Sequence, residues 1–121
     1  MTPDLEAVGA FLEPRHAELA AALDEFSRRL LDPLPEPSDD DEGRVQAREV
    51  LEWIGGSGWL QSVLEDDLRA LCLLRERIAA ASPLADAVVA LQALGTTPLL
   101  LADNQQMRDA WVEPAGPPAV A

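Results

Sequence analysis

Cysteine is nearly missing from this sequence. Cys72 stands alone, which excludes an intramolecular disulfide and a CxxC metal knuckle. Lysine is absent, and nine arginines face 22 acids, for a net charge of −13. Such a surface repels phosphate backbones and anionic lipid, so neither a nucleic acid nor a membrane is expected as partner. His16 is the single histidine, and any histidine-based metal site or nucleophilic triad would have to rest on it. No HExxH, GxSxG or phosphate-loop pattern occurs. No uninterrupted apolar run approaches the roughly 18 residues of a bilayer span. The opening Met1-Thr2-Pro3-Asp4 lacks the basic stretch of a secretory signal, which makes the cytoplasm the expected location.

What is present is helical period. With 48% hydrophobic and 26% charged residues, a chain of 121 residues has material for one core. Leu19, Leu23, Phe26 and Leu30 share a helix face after Pro14, with Glu18, Asp24, Glu25, Arg28 and Arg29 opposite. A shorter helical piece carrying Leu5, Val8, Phe11 and Leu12 precedes it. Pro33, Pro35 and Pro37 with the acids Asp39 to Glu42 make residues 32–43 a linker. The acids of that run are consecutive rather than spaced around a turn, which favours a solvated loop over a cation site.

A second helix is expected from Glu42 to Ile54, capped by Asp41, with Val45, Val50, Leu51 and Ile54 apolar. Gly55-Gly56-Ser57-Gly58 fits a helix stop, with Trp59 folding back onto the core, better than a phosphate cradle. A third helix is expected over Glu65 to Ala81, its stripe running through Leu64, Leu68, Leu71, Cys72, Leu74 and Ile78. Cys72 would then be a small buried hydrophobe. His16, beside Arg15 and Glu18, fits a solvated helix position. Ser82-Pro83 starts a fourth helix with Leu84, Ala87, Val88, Leu91 and Leu94, ending at Gly95. Thr97-Pro98 repeats the start signal for a short Leu99-Leu100-Leu101 turn, and a last helix follows Asp103 or Asn104 to Trp111. Strand alternation is missing. The expectation is an all-α, up-and-down bundle of five to six helices over residues 1–112, with a loose tail at 113–121. Carboxylate pairs such as Glu49 with Glu52 match an acidic solvated face. The residues themselves supply no complete catalytic site and no metal site.

The order of segments resembles the N-terminal helical domain of the acyl-CoA dehydrogenases, flavoenzymes that oxidise an acyl-CoA thioester to its 2-enoyl form. Leu94-Gly95-Thr96-Thr97-Pro98-Leu99-Leu100-Leu101 is similar to the family's LG-x-x-P-(I/L)3 segment. Ala102 to Arg108 resembles the helix start that follows it, and Trp111-Val112-Glu113-Pro114 stands for the family's (Y/W)-L-x-P. Upstream, Glu49 to Gly55 with Gly58-Trp59-Leu60, and Arg75 to Ser82, are similar to two further helix ends. The likeness covers essentially the whole chain. It departs at Leu60 to Asp67, where the family's P-x-x-(Y/F)-G-G loop is shortened or lost.

The resemblance implies a helical wall in an FAD-dependent oxidoreductase of CH–CH bonds, in truncated or split form. Its partners would be acyl-CoA and a segment or chain supplying a β-barrel and a C-terminal helical bundle. The family's catalytic base lies in that bundle, so no residue of this chain is assigned as catalytic, and the isolated chain is not expected to hold FAD. Acyl-channel lining passes by resemblance to Ala87, Ala90, Leu91, Leu94 and Gly95. Their alternative role is ordinary core packing. The competing function is a free-standing interaction or scaffold module with an exposed apolar face around Trp111 and Leu99 to Leu101.

Overall fold

The computed structural model describes residues 4–60 and 67–112, all helix and connecting turn, with no strand among them. A 3-10 turn, Glu6–Phe11, leads into α1, Pro14–Phe26. Pro14 occupies the first helical position, where its missing N–H costs nothing and its fixed φ is already helical. The helix widens into a π turn at Ser27–Leu31 and stops before Pro33. α2 spans Asp40–Ser57, α3 Leu68–Ala81 and α4 Pro83–Leu101. A three-residue helix, α5, Gln105–Met107, runs into a second π turn, Arg108–Val112.

Caps set these boundaries. Asp39, rather than Asp41, caps α2, its Oδ1 accepting from the N–H groups of Asp41 and Glu42 at 3.0 and 2.9 Å. The linker is therefore shorter than the proline and acid pattern suggests. At the far end α2 runs through Gly55 and Gly56, and Gly58 at φ 78° closes it in the left-handed region that glycine enters freely. Asp67 caps α3 through Ala70 N–H and Ser82 caps α4 through Ala85 N–H, at 3.1 and 3.2 Å.

α1 packs on α3, α3 on α4 and α4 on α2. Their shared core holds Leu23, Phe26, Leu31, Val50, Ile54, Leu60, Leu74, Ile78, Ala85 and Val89. Trp59 folds back as expected, edge-on to Phe26 with ring centroids 4.3 Å apart. Two ion pairs brace the helices. Arg77, buried, donates from Nη1 to both carboxylate oxygens of Asp24 at 2.9 Å, tying α3 to α1. Arg75 grips Asp86 through two bonds of 2.9 and 2.7 Å, tying α3 to α4.

Several expectations from the sequence need correction. The buried stripe of α3 is Ala70, Leu73, Leu74, Arg77 and Ile78. Leu68 and Cys72 are exposed, because sinking Arg77 onto Asp24 turns the helix slightly from its most apolar phase. Leu64, the start of the third helix before Asp67 and the tail 113–121 lie outside the described residues. On α2, Val45 is exposed and Leu51 borderline, leaving Val50 and Ile54 as the buried pair. α4 does not stop at Gly95. It continues to Leu101 with Pro98 inside it, while the Thr96 and Thr97 hydroxyls donate to the Gln92 and Ala93 carbonyls.

Candidate functional site

Two regions stand out, one polar and one apolar. The polar one joins the start of α1 to the start of α3. His16 sits there at 1% exposure, against the expectation of a solvated residue. Its Nδ1 accepts from Glu13 N–H at 2.9 Å, the returning half of a capping box with histidine where Glu or Gln is usual. Nδ1 therefore carries no proton, so Nε2 does, and donates it to Asp67 Oδ2 at 3.1 Å. Arg15 Nη1 lies 2.6 Å from that same oxygen, and Arg69 Nη2 reaches the Glu13 carboxylate at 3.0 Å.

Burial pushes the Asp67 carboxyl up, but the Ala70 N–H, the His16 N–H and the Arg15 guanidinium outweigh it and hold the pKa at about 2. Hydrogen bonds from Arg15 and Arg69 likewise lower Glu13. A histidine beside an aspartate suggests a catalytic dyad. Yet both ring nitrogens and both Asp67 oxygens are already bonded inside the fold, and the ring is 1% exposed, so neither group faces a substrate. The cluster is a clamp between helices.

An open cavity of about 390 Å³ lies between the proline linker and the α3–α4 junction, lined by Leu31, Leu34, Pro35, Gln46 and Pro83 among others. Glu36 is its single titratable side chain, and the Gln46 amide is spent on the Pro35 carbonyl. No group of three or more metal-ligating side chains occurs among the described residues. In the acidic run, Asp39 is engaged as a cap, Asp41 pairs with Arg44, and Glu42 accepts from Ser38.

The apolar region is the outer face of α4. Ala85, Val89, Ala93 and Thr96 turn inward, four residues on one side of the helix. Ala87, Leu91, Leu94, Pro98 and Leu101 follow each other at i, i+4, i+7, i+11 and i+14 on the other side. Leu91, Leu94 and Leu101 are 67%, 70% and 77% exposed. The turn Arg108–Val112 packs back against α4, held by Arg108 Nη2 donating to the Leu100 carbonyl, and adds Trp111 at 63% exposure.

Of the residues assigned by resemblance, Ala87, Leu91, Leu94 and Gly95 are exposed and Ala90 is half-buried. The bundle does not use the exposed four as core. α4 is also long and apolar enough to cross a membrane by length and composition, with a mean hydropathy of 1.6 over its best window, although that window is only 17% buried. The count of uninterrupted apolar residues missed this, because the helix runs through Gln92, Gly95, Thr96 and Thr97. Comparison with protein-family models, with curated proteins and with solved structures found no match.

Proposed function

We propose that this chain is the N-terminal helical domain of an FAD-dependent acyl-CoA dehydrogenase, with the outer face of α4 forming part of the acyl wall. One observation carries the reading. Four of the five residues that the resemblance assigns to the acyl channel lie on the face of α4 that this bundle leaves uncovered. Leu91, Leu94, Leu101 and Trp111, exposed together on one side, mark a surface for interaction. In this reading a barrel and a second helical bundle, in another segment or another chain, cover it.

The chemistry of the face suits an acyl chain and does not suit the cofactor. Between Asp86 and Asp103 there is no ionisable side chain, and the Thr96 and Thr97 hydroxyls bond back into the helix. Between these two acids α4 itself offers a flavin diphosphate no cation, and Arg108 beside it is bonded to the Leu100 carbonyl. The wall would hold and orient an apolar tail and exclude water, and proton and hydride chemistry would belong to the covering domains.

The test is to sequence the coding DNA on both sides of this frame and co-express any barrel-plus-bundle frame found there. A yellow one-to-one complex that Leu91→Glu prevents is the expected result. A colourless mixture with no association sinks the reading. Exposed Leu91, Leu94, Leu101 and Trp111 also fit a free-standing interaction module. That alternative gains if no such frame exists and the face proves to bind another protein.

A further inference from the structure

We propose that His16 is a proton-operated clasp: uncharged it caps α1, and on protonation it gives up that cap, releasing the segment Leu5–Leu12 while keeping its hold on Asp67. The geometry allows only one neutral form. Nδ1 faces the Glu13 N–H at 2.9 Å and must accept, so the ring proton sits on Nε2 and points at Asp67 Oδ2, 3.1 Å away. A second proton has only Nδ1 to occupy. It would face the Glu13 N–H, donor against donor, on a ring that is 1% exposed.

The opposite nitrogen responds the other way. An imidazolium N–H to a carboxylate is a stronger bond than a neutral one, so the α1–α3 contact tightens as the cap opens. The charged groups around the ring are Glu13 and Arg15 from the start of α1, and Asp67 and Arg69 from the start of α3. Asp67 itself stays ionised across the histidine range, since its carboxyl is held at about 2. Its second oxygen keeps the α3 cap on Ala70 N–H throughout. The change is therefore confined to the α1 side. The 3-10 turn Glu6–Phe11, none of whose residues is buried, lies directly before that junction. Arg69 Nη1 also donates to the Phe11 carbonyl, a tie from α3 to the end of that turn.

The experiment is amide hydrogen exchange on the 15N-labelled full chain, corrected for intrinsic rates, at about pH 8 and about pH 5, the interval over which histidines ordinarily titrate. The Glu13 amide should lose about tenfold in protection at the lower pH, the scale of one hydrogen bond, while the Ala70 amide keeps its own. In His16→Gln, whose amide oxygen is an acceptor at every pH, Glu13 protection should be the same at both. A Glu13 amide that stays protected in the wild type at low pH overturns the proposal. So does an equal loss in His16→Gln, or a parallel loss at Ala70 that signals general unfolding. Should His16→Gln fail to fold, the 15N shifts of the wild-type ring decide: a proton found on Nδ1 at pH 8 refutes the clasp.

Discussion

The two faces of α4 are both mostly apolar and meet different fates. Ala85, Val89 and Ala93 face α2 and α3 and are buried, whereas Ala87, Leu91 and Leu94 face outward. The outward set is the larger and more hydrophobic. Burial of the inner set follows from size: alanine and valine let α4 approach its neighbours closely, and leucines there would hold the helices apart. Hydropathy alone therefore picks the wrong face as core. The contrast makes the sharpest prediction. Val89→Asp puts an unpaired charge into the closed side and should cost about 3–5 kcal/mol, enough to unfold a domain of this size. Leu94→Asp, the same charge on the open side, should change stability by no more than about 0.5 kcal/mol. Urea midpoints of the two variants decide it, and a large loss in Leu94→Asp would mean the outer face is not free.

A second comparison sets the closed core against the polar clamp. Leu74→Ala removes a fully buried side chain where α3 meets the core and should cost about 2–4 kcal/mol by urea titration. Asp67→Asn keeps an oxygen to cap Ala70 but loses the charge that holds Arg15 and His16, a smaller effect of about 1–2 kcal/mol at neutral pH. Its sign with pH is fixed. The folded Asp67 pKa of about 2 lies below the ordinary value of 3.8, so its contribution is present above that value and lost as pH falls toward 2. The wild type should lose its advantage over Asp67→Asn between about pH 4 and pH 2. An advantage that persists below that window would assign the effect to shape rather than charge.

These contrasts also show what the sequence discloses. Helix count, the Pro14 and Ser82-Pro83 starts and the return of Trp59 rest on local rules, and local rules are written in consecutive residues. The sequence places His16 in solvent because its partner Asp67 is 51 positions away. The available signal was local: His16 lies three residues after Glu13, at the capping-box position, with an acceptor nitrogen to return. Hydropathy alone phases the α3 stripe through Cys72, whereas Arg77 enters the core by pairing with Asp24, 53 positions away. The α4 face was legible as apolar, and resemblance alone gave it a role. Which side of an all-apolar helix is covered depends on its neighbours, and periodicity does not contain them.

The smallest effect tests the length of α4 itself. The pattern Thr97-Pro98 is a standard helix start, and at a first helical position proline is favourable, so Pro98→Ala would then lose a few tenths of a kcal/mol. Here Pro98 sits within α4, three residues from its end, where it denies an N–H to the Leu94 carbonyl and crowds it. A mid-helix proline costs about 3 kcal/mol against alanine, and a position in the frayed last turn should show only part of that. Pro98→Ala should therefore raise stability by about 0.5–1 kcal/mol. The variant should also protect the amides of Leu99 to Leu101 more strongly from exchange. A loss in place of a gain would divide α4 at Gly95, and the uncovered face would become two short pieces instead of one continuous surface.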